Sequence, residues 1–290
     1  MTAVPETNDE ASARVARPRH LIVTVYGLYA RADGGWLSVA SLIRLLADLG
    51  VDEPAVRSAI SRLKRRGILS ARKHERQAGY ELSTEALAIL REGDARIFRR
   101  SRATLADGWL LAVFSVPESQ RHQRHVLRSE LTRLGFGMAA PGVWILPAHP
   151  DDATADVLRR LGLDGYADLF RANHVAFGDL TDKVRRWWDL NELQRQYQRF
   201  LRANEPAVER WQRQPPGPSG PSGAEADRTA FGDYVRALTD WRRLPYLDPG
   251  LPAELLPADW IGARAADVFF TLRGRLAEPA RVHVQRVLTS

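Results

Sequence analysis

The chain has 290 residues, of which 44% are hydrophobic and 27% are charged, a composition typical of a soluble globular protein with two or three domains. It contains no cysteine, which excludes disulfides and thiolate metal sites, and its longest largely apolar run, residues 109–116, is too short to cross a bilayer. The net charge of +7 is localised: residues 19–102 hold 16 Lys and Arg against 9 Asp and Glu, while the rest of the chain is balanced. This asymmetry predicts a polyanion-binding module attached to a neutral body.

The first part of the chain shows a tail followed by two helices. Residues 1–18 contain acidic side chains and no apolar segment, which predicts a disordered tail on a cytoplasmic protein rather than a signal peptide. Apolar residues at helical spacing predict a helix over residues 19–29. Ser38 is placed to cap a second helix, which carries a leucine stripe and ends at Gly50, a residue suited to a left-handed cap.

A third helix is predicted within VDEPAVRSAISRLKRRGIL, residues 51–69. Asp52 can cap it, Pro54 falls in its first turn, and Gly67 ends it. The buried side is predicted by the apolar residues at helical spacing, Val56, Ile60 and Leu63. The opposite side carries cationic and hydroxyl side chains, those of Arg57, Ser58, Ser61, Arg62 and Arg65.

Two helices joined by a tight turn, the second of them short and basic, form the helix-turn-helix pattern. Strand-like segments at residues 68–72 and 80–83 flank a basic stretch, which predicts a hairpin wing that carries Arg72, Lys73 and Arg76. In such a winged helix, helix side chains read base edges in the major groove and wing cations neutralise phosphates. A solvated surface is the alternative for any single run of charge, but the combination favours binding of double-stranded DNA.

The middle of the chain alternates strands and helices. A long helix over residues 84–102 leads into it, and the elements that follow have the βαββαβ order of a ferredoxin-like domain. The predicted strands are residues 109–116, 136–140, 142–146 and 174–177, and the predicted helices are residues 121–134 and 151–161. The apolar set of the first of these helices is Val126, Leu127, Leu131 and Leu134.

An enzymatic role for this middle domain is the main alternative function. Glu118, His122 and His125 could share a helix face and bind a metal ion, as in a metal-dependent nuclease. However, such residues on an arginine-rich helix are more often surface residues, and the chain shows no nucleophile elbow, phosphate-binding loop or dinucleotide fingerprint. We therefore predict a protein that is not an enzyme, with no catalytic residues, bound metal or cofactor. A winged-helix protein that binds RNA or has a structural role is a third alternative.

The last part of the chain, residues 181–290, is predicted to be mostly helical. Aromatic and leucine side chains recur at helical spacing between residues 187 and 201, which predicts a hydrophobic core or a dimer interface. Residues 214–224, QPPGPSGPSGA, predict a flexible linker. A helix over residues 227–244 and a last helix from near Ile261 flank an irregular segment that contains three prolines.

Together these elements predict an α+β chain with three domains and a tail. The domains are a winged-helix domain at residues 19–104, a ferredoxin-like middle domain at residues 105–180 and a helical C-terminal domain at residues 181–290.

Several stretches carry a resemblance to a known family: LIRLLADLGVDEPAVRSAISRLKRRGIL at residues 42–69, GWLLAVFSVPE at 108–118, LGFGMAAPGVWILP at 134–147, WDL at 188–190 and LPYLDPGLPAELLPADWIGARAADVF at 244–269. Over roughly residues 19–288 the chain resembles the PaaX family of bacterial transcriptional repressors. The resemblance implies a homodimeric repressor of an operon for aromatic, phenylacetate-type catabolism. It also implies release from the operator by an aryl-CoA thioester such as phenylacetyl-CoA.

A CoA thioester needs cations for its phosphates and an apolar slot for its aryl group. Residue chemistry alone suggests a set of effector-binding candidates: Trp144, Trp241, Arg242, Arg243 and Trp260. The alternative is that these tryptophans belong to the hydrophobic core and these arginines to the surface.

Overall fold

The computed structural model describes residues 18–31, 34–74, 76–99, 102–149, 153–175, 177–213 and 223–289. Nearly all of the predicted tail and of the predicted linker lies outside these residues. The chain divides into two compact units, the first from residues 1–95, 200–241 and 265–290 and the second from residues 96–199 and 242–264. In the part of the chain that the structure describes, no helix combines the length and hydropathy needed to cross a membrane.

The first unit begins with helix α1 (Pro18–Val25), which continues as one π-helical turn over Tyr26–Ala30. Helix α2 (Val39–Asp48) is capped by Ser38, whose hydroxyl accepts a hydrogen bond from the Ser41 amide at 3.0 Å, as its position in the sequence predicts. Gly50 follows with a φ of 78°, the left-handed conformation that was expected of it.

Helix α3 (Glu53–Arg65) follows at once. Asp52 caps it, because its Oδ1 accepts a hydrogen bond from the Ala55 amide at 2.8 Å. Pro54 lies in the first turn, and Gly67 has a φ of 67° just beyond the last turn. The predicted caps and stop of this helix are therefore confirmed.

A three-stranded antiparallel sheet completes this part of the first unit, with the order β1-β3-β2. The strands are β1 (Trp36–Ser38), β2 (Leu69–His74) and β3 (Gln77–Leu82). The hairpin of β2 and β3 is longer than the predicted strand segments, and its turn places Arg76 at a φ of 68°. Helix α4 (Thr84–Phe98) follows and ends four residues before the predicted end at residue 102.

The C-terminal helices share one hydrophobic core with this N-terminal module. Helix α8 (Leu190–Arg213) enters the first unit at Phe200, and α9 (Gly223–Trp241) and α11 (Gly262–Thr289) pack with it. The common core unites side chains from both ends of the chain, among them Leu21, Val25, Leu46, Ile60, Phe231, Val235, Leu272 and Val284. The N-terminal module therefore does not close its core by itself.

Polar contacts join the same helices. The buried hydroxyls of Thr24 and Thr239 lie 2.8 Å apart and link α1 to α9. Asp48, at the end of α2, lies 2.8 Å from His283 Nε2 on α11 and 3.7 Å from Arg228 on α9. Both helices are therefore anchored at Asp48, two residues before Gly50 in the turn that leads into α3.

The second unit is built on a four-stranded antiparallel sheet with the order β5-β6-β4-β7. The strands are β4 (Trp109–Phe114), β5 (Gly137–Ala140), β6 (Val143–Pro147) and β7 (Ala167–Ala172), and the helices between them are α5 (Arg121–Leu134) and α6 (Thr154–Arg160). The βαββαβ order is the one that the sequence predicts, and the bounds of α5 match the prediction at both ends.

Two details of the predicted middle domain are wrong. The last strand is residues 167–172, not 174–177: β7 pairs with all six residues of β4, whereas Val175 and Phe177 are each 91% exposed and Phe177 has a φ of 70°. Val126, which was expected in the core, is 38% exposed on α5. Leu127 and Leu131 alone carry the fully buried side of that helix.

The sheet is covered on both faces. One face packs on α5 and α6 through a core that includes Leu110, Trp144 and Leu158. The other face packs on α7 (Leu180–Trp187) and on residues 251–260, with Trp109 inside a group of three tryptophans. The proline-rich segment starts at α10 (Leu244–Leu247) and is held through buried Asp248, which accepts hydrogen bonds from Tyr197 Oη at 2.7 Å and the Gly250 amide at 2.8 Å.

Candidate nucleic-acid interface

Helix α3 has one buried side and one exposed side. Val56, Ile60 and Leu63 are at most 3% exposed and fix the helix to the core of the first unit. The side chains of the opposite side are all exposed, namely Arg57, Ser58, Ser61, Arg62 and Arg65. Because the apolar side holds the helix in place, this polar side can lie against a partner without disturbing the fold.

The cations of α3 differ in what they already bind. Arg57 is engaged, since its Nε and Nη2 atoms each lie 2.7 Å from Glu53 Oε1 one turn earlier. Arg62 and Arg65 have no acidic partner among the described residues. Glu53 is a site residue that the sequence prediction missed, although its spacing of four residues before Arg57 is the signal of a helical ion pair.

The hairpin of β2 and β3 carries the second group of predicted contacts. Arg72 Nη1 lies 2.6 Å from Glu81 Oε2 on the neighbouring strand, whereas Lys73 and Arg76 are exposed and have no partner in the described ranges. Trp36 on β1 braces the hairpin, because its Nε1 donates to the Arg72 carbonyl at 3.0 Å. A Cβ at Gly79 would come within 2.4 Å of that indole, so only glycine permits this close packing.

An open groove of about 790 Å³ lies among the starts of α2, α3 and β3, within the first unit. Ser41, Arg44 and Arg57 give it hydroxyl and cationic groups, and Leu288 near the end of α11 lines it as well. Its lining also includes Glu53, the ion-pair partner of Arg57, and apolar side chains such as Val39 and Ile43. The open shape of the groove differs from the enclosed pocket that a small ligand usually occupies.

The candidate metal site gains no support from the structure. Glu118 forms an ion pair with Arg124 at 3.1 Å, and His122 and His125 are exposed on α5. Among the described residues, no group of three or more His, Asp or Glu side chains is placed to hold a metal ion.

The candidate effector-binding residues occupy different settings. Trp241, in the first unit, is fully buried and stacks on Phe269 with ring centroids 4.9 Å apart. In the second unit, Trp144 and Trp260 lie in separate hydrophobic clusters. These tryptophans therefore have the surroundings of core residues.

The two candidate arginines also differ from each other. Arg243 is exposed, whereas Arg242 is largely withdrawn from solvent, and this burial lowers the pKa of its guanidinium group. The described contacts do not place the five candidate residues in one pocket, and their role stays a prediction.

The chain is similar to known proteins over most of its length. Three family models match consecutive parts of the chain: PaaX-like protein at residues 17–86, PaaX protein central Cas2-like domain at 102–184, and PaaX-like protein C-terminal domain at 188–286. The transcriptional repressor PaaX of Escherichia coli (strain K12) is 30% identical over 273 residues, which cover 91% of this chain and 82% of that protein.

A solved structure is also similar: the uncharacterized protein Rv0674 from Mycobacterium tuberculosis is 26% identical, with a TM-score of 0.55, and the match covers 90% of this chain and 97% of that one. The similarity to a repressor over most of both chains supports a regulator without enzymatic activity. On these grounds, and as its sequence stretches indicate, the chain belongs to the PaaX family of transcriptional repressors.

Proposed function

We propose that the first unit binds double-stranded operator DNA through a winged helix-turn-helix formed by α2, α3 and the β2–β3 hairpin. One observation carries this proposal: α3 buries its apolar side and exposes a cationic side on which Arg62 and Arg65 have no acidic partner in the described ranges. The neighbouring hairpin adds two more exposed cationic side chains, those of Lys73 and Arg76. Recognition of phosphates and bases needs cations that are free to contact DNA, and these residues supply them.

The roles within this interface follow from position. In this proposal, exposed side chains of α3, among them Ser58, Ser61 and Arg62, reach base edges. Lys73 and Arg76 on the hairpin are placed to contact phosphates, and Arg72 contributes less because Glu81 already neutralises it. The test is to select binding sites from random duplexes and to measure binding by gel shift. Failure to enrich any sequence or to shift any duplex would contradict DNA binding.

We propose the three-domain organisation as well. The winged-helix domain of residues 19–104 reads DNA, the ferredoxin-like domain of residues 105–180 follows it, and the helical domain of residues 181–290 supplies helices that complete the core of the reader. The β5-β6-β4-β7 strand order and the family match to a central Cas2-like domain support the middle assignment.

An effector can act on DNA binding only if it binds the DNA-bound and free states unequally. We propose that a homodimer in the cytoplasm represses an aromatic-catabolism operon and is released by an aryl-CoA thioester such as phenylacetyl-CoA. The support from the structure is the anchoring of α9 and α11 on Asp48 of α2, since a ligand that shifts these helices would move α2, the helix that precedes α3.

The effector proposal predicts a selective response to aromatic thioesters. Phenylacetyl-CoA is expected to raise the thermal midpoint of the protein and to abolish its gel shift with selected DNA, because ligand binding stabilises the state it prefers. Free CoA and acetyl-CoA are the controls, because they carry the same phosphates without the aryl group. No stabilisation by any aromatic thioester would contradict the effector but leave DNA binding standing.

Substitutions in the hairpin are expected to change the salt dependence of DNA binding and not its sequence preference. In the double variant Lys73→Gln, Arg76→Gln, the slope of log affinity against log salt is expected to become shallower by about 1.8 per protomer, because two phosphate contacts are lost. Fluorescence anisotropy with selected and scrambled duplexes measures it. Arg210→Gln, Arg281→Gln removes the same charge from residues that bind Asp233 and Glu278, and its slope should match the wild type. An unchanged slope in the hairpin variant would contradict the proposal that Lys73 and Arg76 contact DNA phosphates.

A further inference from the structure

A second cationic surface lies on α5 in the second unit. Arg121, His125 and Arg128 follow one another at i, i+4 and i+7, which places them on one line along the helix. All three are exposed, and His122 and Ser129 are exposed beside them. Leu127 and Leu131 fix another side of α5 in the core, and the line of Arg121, His125 and Arg128 is exposed.

The acidic residues near this surface are already bound elsewhere. Glu130, the acidic residue within α5, lies 2.7 Å from Arg133, and Glu118 before the helix lies 3.1 Å from Arg124. Arg124 also donates to the carbonyl of Val116 at 2.8 Å, which holds it at the start of the helix. Arg121 and Arg128 are left without an acidic partner within the described residues.

Some exposed arginines on other helices are paired with a carboxylate on the same helix. On α8, Arg195 and Arg199 lie 2.9 and 3.0 Å from the same carboxylate, that of Glu192. Arg281 on α11 binds Glu278, and Arg159 on α6 binds Asp156. These four arginines have counter-charges on their own helices, whereas Arg121 and Arg128 on α5 have none within the described residues.

The form of the surface indicates the class of partner. Small anionic ligands bind in concave pockets, and Arg121 and Arg128 lie on the open side of a helix. Seven residues of α-helix span about 10 Å. Measured along the duplex axis, that distance corresponds to about three base-pair steps of B-DNA, at about 3.4 Å per step. An extended backbone of regularly spaced phosphates fits such a line, and the serine hydroxyl beside it can donate to phosphate oxygens.

We propose that the Arg121–His125–Arg128 surface of α5 is a second, sequence-independent contact with the phosphate backbone of double-stranded DNA. The contact lies on the second unit, outside the helix-turn-helix. The proposal rests on the proposed DNA binding of the first unit, since it adds a backbone contact to the same complex.

The experiment compares two double variants of the full chain that lose the same charge. Arg121→Gln, Arg128→Gln removes the unpaired arginines, and Arg195→Gln, Arg199→Gln removes two paired ones from the same unit. Both pairs are exposed, so the thermal midpoint is expected to stay near that of the wild type and confirms folding. Anisotropy titrations at several salt concentrations and hydroxyl-radical footprints are recorded on a duplex that contains the selected site with long flanks.

The α5 variant is expected to lower the salt slope by about 1.8 per protomer and to shorten the footprint at its flanks, while protection of the selected site persists. The control variant should keep the wild-type slope and footprint. Equal slopes in all three proteins would overturn the proposal and show a solvated surface, while the DNA-reading function of the first unit would stand. If the wild-type protein binds no duplex, the proposed DNA binding of the first unit is itself contradicted.

Discussion

Replacing Arg62 with alanine is expected to weaken binding to the selected operator by about 1–3 kcal/mol, roughly 5- to 150-fold, with little effect on scrambled DNA. Arg62 lies on the exposed side of α3 and has no acidic partner within the described residues, so its removal breaks no internal contact. An arginine that bonds a guanine edge at two points accounts for an effect of this size. Gel-shift titrations with selected and scrambled duplexes at one salt concentration measure it.

The comparison variants separate base reading from charge. Arg281→Ala removes the same charge from an exposed site on α11 and should leave both affinities unchanged. Arg57→Ala should cost less than Arg62→Ala, because Arg57 must first leave Glu53 before it can contact DNA. An equal loss on both duplexes would assign Arg62 to a phosphate, and no loss on either would contradict the placement of α3 at the DNA.

The elements of this interface could be predicted because their signals are local. Asp52 and Ser38 cap the helices that follow them, and Gly50 and Gly67 adopt the left-handed conformation at the ends. Each of these signals depends on a few neighbouring residues. The Glu53–Arg57 pair has an equally local signal, an acidic residue four positions before a basic one on the same helix.

The last strand of the middle domain was misplaced for a physical reason. The segment ADLFRA at residues 167–172 contains Asp168 and Arg171, which weaken its apolar pattern, whereas HVAF at residues 174–177 is more apolar. Strand β7 lies at the edge of the sheet and tolerates polar side chains, so hydrophobicity was a poor guide there. Pairing with β4, which a single sequence does not reveal, decides the register.

The packing of the C-terminal helices on the N-terminal module was not predictable from local pattern. The hydroxyls of Thr24 and Thr239 meet across 215 residues of chain, and Asp48 meets His283 across 235. Amphipathic spacing shows that α9 and α11 bury one side, but it does not name the surface that covers that side. A sequence-based division at residue 104 therefore separates helices that share one core.

Substitution of Trp241 is expected to have a large effect on stability. Its result also distinguishes a role of the indole in the core from a role in ligand binding. Its ring is fully buried, stacks on Phe269 at 4.9 Å and lies 5.5 Å from Phe200. Trp241→Ala is expected to lower the free energy of unfolding by about 3–5 kcal/mol, because the cavity would remove contacts among α8, α9 and α11. Urea unfolding followed by circular dichroism measures the change.

Trp241→Phe is the matched variant, since it keeps a ring that can stack on Phe269 and should cost much less than alanine. If Trp241 serves the core, the phenylalanine variant keeps both DNA binding and the response to phenylacetyl-CoA. Loss of that response in a stable Trp241→Phe protein would instead assign the indole to the effector site. The alanine variant also tests whether DNA binding depends on the C-terminal helices. Because Thr239 of α9 forms a hydrogen bond with Thr24 of α1, a cavity at Trp241 should weaken DNA binding in parallel with stability. Full DNA affinity in a strongly destabilised Trp241→Ala protein would show that DNA binding does not depend on the helices that complete the core.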